Sequence, residues 1–108
     1  MSRKGNNLIV MIDGEIDHHS SETIRNKVDS KITSAAIKNV VFDFSRVGFM
    51  DSSGIGMLMG RYKNVVRVGG KVWLVSVNNT VKRVLEMSGV LSVIPILSSI
   101  DEVIWFAF

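Results

Sequence analysis

The chain has no cysteine, two histidines and a single proline in 108 residues. The missing thiols exclude disulfides, a cysteine nucleophile and Cys-ligated zinc, and they agree with a reducing, cytoplasmic setting. His18 and His19 are adjacent and have no third companion, so neither an HExxH nor a His-rich metal site can be assembled. Long apolar runs are missing as well. The early run Leu8–Ile12 is too short for a signal-peptide core and far too short for a membrane span. No linker, repeat or low-complexity tract interrupts the chain. With 46% apolar and 21% charged residues, the composition suits one ordinary folded domain over 1–108, with residues 1–6 expected as a short or frayed N-terminal arm.

Charge is unevenly placed. Thirteen Lys and Arg against ten Asp and Glu give a net charge of +3. Residues 1–51 carry seven bases and seven acids, whereas Ser52–Leu85 carries six bases (Arg61, Lys63, Arg67, Lys71, Lys82 and Arg83) and no acid. Nucleic-acid binders usually pair such a run with exposed aromatics or a recognisable motif, and neither is evident. The run reads as a solvated or partner-facing surface.

The apolar period switches repeatedly between strand-like and helix-like. Leu8–Ile12 predicts a strand closed by an Asp13-Gly14 turn into Glu15-Ile16-Asp17, which adds an antiparallel pair at one sheet edge. Ser20, Ser21 and Glu22 read as a helix start, with Ile24, Val28, Ile32 and Ala35/Ala36 recurring at about one helical turn and Arg25, Lys27, Asp29 and Lys31 off that stripe. Val40–Phe44 and Val72–Val77 have the continuous, β-branched pattern of strands buried on both faces. Helical stretches follow at 53–68 and 79–88, the second ending at Gly89. Leu91–Ile96 reads as a last strand, and Ser99–Glu102 as a capping box opening a helix through Phe108. Such alternation predicts an α/β domain with a largely parallel sheet.

The segment Gly48–Gly60 lies between a buried strand and a helix, where parallel α/β domains meet their ligands and partners. Projection at 100° per residue puts Ile55, Leu58, Met59, Tyr62, Val65 and Val66 on a core stripe. Gly56, Met57, Gly60, Asn64 and Arg67 fall on the other side. Asp51, Ser52 and Ser53 supply more hydrogen-bonding groups than one helix cap requires. Gly56 and Gly60 each cost roughly 1 kcal/mol relative to Ala and leave bare backbone that another surface can approach. Met57 is expected to add an exposed, adaptable apolar contact. A plain structural reading remains open, in which Asp51 or Ser52 caps and the glycines pack on a neighbour. A dinucleotide site fits poorly, because the glycines come late after the strand and no acid follows the next one. A hydrolase would need a base for Ser52 or Ser53. His18 or His19 should lie near the same sheet end, but no nucleophile elbow is present.

Phe49-Met50-Asp51-Ser52-Ser53-Gly54-Ile55-Gly56, with Gly14–His19 before it and Val81-Lys82-Arg83 and Met87-Ser88-Gly89 after it, closely resembles the anti-sigma factor antagonists of the STAS family, its sporulation branch above all. The resemblance runs from about Leu8 to the C-terminus. It implies a β–α superhelix with a mixed, mostly parallel sheet and about four helices. The N-terminus is shorter than the family's usual one, which implies a clipped or missing first edge strand.

The resemblance further implies a non-enzymatic, cytoplasmic, monomeric binding module. Its partner is an anti-sigma factor that is also a serine kinase, and a serine phosphatase reverses the modification. ATP and magnesium belong to the kinase; the chain itself has no cofactor, metal or catalytic residue. No nucleic acid is contacted, and no membrane except through the phosphatase. The phosphorylated residue carried over is Ser53, which leaves Ser52 as a capping or interface hydroxyl. Asp17 matches a family position that contacts the kinase. His18, Asp51, Ser52, Gly54, Ile55, Gly56 and Met57 complete the expected contact surface. A general-stress antagonist with the same switch is one alternative; a small nucleotide- or phosphate-ligand-binding domain is the other.

Overall fold

The computed structural model describes the backbone of residues 1–107 and the side chains of residues 1–103. Five strands, β1 (Ser2–Lys4), β2 (Asn7–Asp13), β3 (Asn39–Arg46), β4 (Val72–Val75) and β5 (Ile96–Leu97), form one sheet in sequential order. β1 pairs antiparallel with β2, and every later neighbour is parallel. The helices are α1 (His18–Ser34), α2 (Ser52–Arg67), α3 (Asn79–Ser88) and α4 (Ile100–Ala107).

Sequential order among parallel strands has a consequence. Right-handed crossovers that always step in the same direction leave every crossover helix on the same face of the sheet. Inward side chains of alternate strand positions, Leu8, Val10, Val40, Phe42, Phe44, Val72 and Leu74, accordingly share one core with Val28 of α1, Leu58 and Val65 of α2, and Val81 and Leu85 of α3. The opposite face carries Val41, Trp73 and Val75 and is covered by Val103 and Ile100 of α4. That helix follows the last strand, so no crossover rule ties it to the first face.

Four local expectations are corrected. The antiparallel pair is made by β1, turning at Gly5 and Asn6 into β2, and not by the Asp13-Gly14 turn. Residues 2–4 of the expected frayed arm are therefore the first edge strand, with Ser2 opposite Ile9. Helix α1 begins at His18, two residues before the expected start. Leu91–Ile96 is not a strand: a 3-10 turn spans Val90–Ser92, and β5 pairs only at Ile96 and Leu97. Gly89, with φ of 80°, closes α3 in the left-handed conformation as expected, and Val90 and Ile94 are then buried while Ser92 between them is exposed, which strand alternation would not give. Phe108, the expected end of the final helix, lies outside the described residues.

Candidate functional site

β2 and β3 are parallel neighbours, so the loops leaving them emerge at the same sheet end and each runs into a helix. Beyond the ladder the two loops are stitched together. The Ile16 N–H donates to Phe49 O at 2.9 Å, and the Asp51 N–H donates to Ile16 O at 3.0 Å. Ile16 and Met50, the bridged pair, are fully buried. This places Asp17 and Asp51, the N-caps of α1 and α2, on adjoining loops.

Asp17 Oδ1 accepts the Ser20 N–H at 2.9 Å, while Ser20 Oγ accepts the Asp17 N–H at 2.9 Å. This reciprocal box explains the early start of α1: Ser20 is its third residue rather than its cap. Hydrogen bonds from the Ser20 amide first, and from its hydroxyl second, hold the Asp17 carboxyl below the ordinary aspartate value. His18 and His19 stand exposed in the first turn.

At the second helix start, Asp51 Oδ1 accepts both the Ser53 N–H at 2.8 Å and the Ser53 hydroxyl at 2.5 Å. Ser53 Oγ is also 3.1 Å from the hydroxyl of Ser21, which is buried. With the Ser53 proton committed to Asp51, the Ser21 hydroxyl is the donor of that pair. The cap is therefore Asp51, and the capping role expected for Ser52 falls away; Ser52 is exposed.

Helix α2 is turned about a quarter revolution from the projected phase. Met57, at 4% exposure, and Arg61, at 6%, are buried, whereas Val66 is 45% exposed. The cause is α1, which packs along α2 and creates a second buried side. Arg61 Nε lies 2.7 Å from Asp29 Oδ1, and Asn64 Nδ2 donates to the same oxygen at 3.3 Å. A projection that seeks one apolar stripe misses a second seam lined partly by polar groups. Met57 is thus not the exposed partner contact expected from the sequence, and it joins the main core. Arg61 leaves the basic surface, while Lys63, Arg67, Lys71, Lys82 and Arg83 remain on it.

The glycines divide by role. At Gly56 and Gly60 an added Cβ would meet nothing within 4 Å, so the bare strip of backbone is present and open. Ile55 beside it is half-buried against the core. Gly54 is buried and so is not the partner contact expected from the resemblance: a Cβ there would overlap Cγ and Sδ of Met50 and come within 3.1 Å of Ile16 Cγ2. Gly54→Ala is accordingly expected to cost about 1–3 kcal/mol in urea unfolding, because the fully buried Met50 must shift within the core. Unchanged stability would show that the helix start retreats at no cost.

A cleft of about 410 Å³ opens between the first turns of α1 and α2. Its walls are Ser53, Gly56 and Met57 on one side and His18, Ser21, Glu22 and Arg25 on the other. The structure therefore brings together His18, Ser53, Gly56 and Met57, with Asp17 and Asp51 holding the loops from which the two helices start. Ser21 and Arg25 were missed, because helical periodicity assigns Ser21 to a helix start and Arg25 to a solvated side.

Comparison with known proteins identifies the family of this fold. The STAS domain family matches residues 1–103. The anti-sigma F factor antagonist of Paenibacillus polymyxa is 40% identical over 89 residues, 82% of this chain and 76% of the relative. The anti-sigma factor antagonist SpoIIAA in its unphosphorylated form superposes with a TM-score of 0.84 at 31% identity, covering 95% of this chain and 90% of that one. The phosphorylated form of the Bacillus cell fate determinant SpoIIAA gives 0.78 at 29% identity, covering 100% and 96%. The chain belongs to the STAS domain family, among its anti-sigma factor antagonists.

Proposed function

We propose that the unphosphorylated domain docks the surface formed by Asp17, His18, Asp51, Ser52, Ser53, Ile55 and Gly56 on an anti-sigma factor that is also a serine kinase. Docking frees the sigma factor, phosphorylation of Ser53 ends it, and the switch serves sporulation transcription. The observation that carries this reading is the Ser53 hydroxyl, which lines an open cleft with its proton on Asp51. In the transfer, Ser53 Oγ bonds to the γ-phosphorus of ATP held by the partner and the bond to ADP breaks. The hydroxyl proton passes to Asp51, whose carboxylate already accepts its hydrogen bond. Ser52 is exposed but is not the residue bonded to Asp51. A serine phosphatase restores the hydroxyl by hydrolysis. The F-type antagonist among the relatives supports the sporulation assignment over a general-stress one.

The phosphoryl group adds about −1.5 to −2 charge at the start of a helix, whose dipole stabilises it by about 0.3–1 kcal/mol. The domain thus keeps its fold. Burying the same group in an interface with no matching cation costs several kcal/mol, and each 1.4 kcal/mol is a tenfold change in affinity.

Incubation with the cognate anti-sigma kinase and ATP is expected to label Ser53 alone by phosphopeptide mapping. Ser53→Ala should bind the kinase yet never release it, and Ser53→Asp should bind at least tenfold more weakly. Label on Ser52, Ser20 or Ser21 would overturn the assignment.

A further inference from the structure

We infer that Arg25 is the internal counter-ion of the phosphorylated Ser53: once the phosphoryl group occupies the α1–α2 cleft, Arg25 exchanges Glu22 for it. The inference rests on the Ser53 reading above and adds a positioning residue on the helix opposite the modified serine.

Ser21 is the residue of α1 that touches Ser53, at 3.1 Å between hydroxyls. Arg25 follows Ser21 by four residues, so it lies one turn further along the same face. Helical side chains lean toward the N-terminus, which carries the Arg25 side chain back over Ser21 and toward Ser53. Ser53 and Arg25 line the same cleft, whose volume of about 410 Å³ exceeds what a phosphoryl group needs. A water molecule occupies about 30 Å³ in the liquid, and the added group is roughly two to three times that.

The present partners of Arg25 make the exchange favourable. Its ion pair with Glu22 spans 3.8 Å between two side chains that are about half exposed, and such i,i+3 pairs contribute little. The other carboxylate along the seam, Asp29, is occupied by Arg61 and Asn64. Arg25 is close enough to Arg61 for its charge to help lower the Arg61 pKa, after burial, which marks the seam as rich in cation. A dianionic phosphate offers a guanidinium a bidentate, charge-assisted partner, which the Glu22 contact is not. The groups facing the phosphate are then His18, Glu22 and Arg25 from α1 and Asp51 from the loop before α2. Ser21 would turn its proton to a phosphate oxygen.

The exchange has a regulatory meaning. A phosphate held by Arg25 sits inside the cleft, screened by the chain's own cation, so the phosphorylated domain stays folded and soluble while its docking surface is altered. It also withdraws Arg25 from any partner carboxylate it meets in the unmodified state.

The test uses full-length protein with phosphoserine installed at position 53 during translation, so no kinase is involved. Phosphorus NMR titration reads the second pKa of the phosphate, which is about 6 for an unperturbed group. Arg25→Gln is expected to raise that pKa relative to the unsubstituted phosphoprotein by roughly half a unit or more, because the guanidinium lining the cleft is lost. Arg25→Lys should restore much of the difference, and Glu22→Gln should lower the pKa by freeing Arg25. Equal values for the unsubstituted protein and Arg25→Gln, with both folded by circular dichroism, would overturn the inference. Kinase labelling away from Ser53 would instead defeat the functional reading, and the two failures are separate.

Discussion

Asp29→Ala is expected to destabilise the domain by about 2–3 kcal/mol, somewhat less than the loss of one partner from a fully buried ion pair, because Asp29 is more than a third exposed. Arg61 is the reason. Its side chain is 7% exposed, its Nε is 2.7 Å from Asp29 Oδ1 as an ion pair without hydrogen-bond alignment, and neither Nε nor Nη1 has a hydrogen-bond partner among the described residues. Asp29 itself is 37% exposed, so its own desolvation is modest and nearly all of the loss comes from stranding the guanidinium. Burial already lowers the Arg61 pKa, and Asp29 is the group that opposes this. Asn64 would lose its acceptor in the same step. Replacing both partners, Asp29→Leu with Arg61→Met, should recover most of the loss, since an apolar pair of similar volume is often neutral or stabilising. Urea unfolding followed by circular dichroism checks both. A loss below about 1 kcal/mol in Asp29→Ala would mean that water reaches Arg61 and that the α1–α2 seam is open.

Met57→Lys should be similarly damaging. Deleting a buried methionine side chain to Ala costs about 2–5 kcal/mol, and lysine adds an ammonium that must leave water or escape along its stem. The cleft beside Met57 provides an exit, so the charge can reach solvent at the expense of packing against the core. The net expectation is a loss of about 3 kcal/mol, with each kcal/mol lowering the melting temperature by about 4–8 °C in a domain of this size. Met57→Leu, which conserves volume, should stay within about 1.5 kcal/mol of the native protein. A native melting temperature in Met57→Lys, with partner affinity alone reduced, would return Met57 to the surface and contradict the observed helix phase.

These two substitutions fall where reading the chain alone went astray. Met57 sits on the side of α2 that the periodicity of 53–68 assigns to solvent or partner, and Asp29 reaches α2 from α1 through Arg61. The apolar stripe through Leu58 and Val65 is real and faces the sheet. Nothing within α2 announces that Met57, Arg61 and Asn64 would be covered by another helix. Asp29, Ser21 and Arg25, which meet them or share their cleft, look like ordinary solvated positions on α1.

What the sequence by itself determined is local. Strand–helix alternation, the β-branched runs of β3 and β4, the left-handed Gly89 and the Asp51-Ser52-Ser53-Gly54 turn are set by residues within about four positions of one another. Propensity, capping and steric limits act over that range. The parallel direction of the later strands also followed, because helical crossovers join them, whereas their order is read from the structure. Only the tertiary structure decided that Ser53 meets Ser21, which side of α2 is buried, and that a cleft lies beside Ser53. Those features depend on pairs such as Ser21 with Ser53, 32 residues apart, and Asn64 with Asp29, 35 apart. Periodicity reports that a helix has an apolar side. It carries no term for a neighbouring helix that buries the polar side as well, and here that neighbour builds the site.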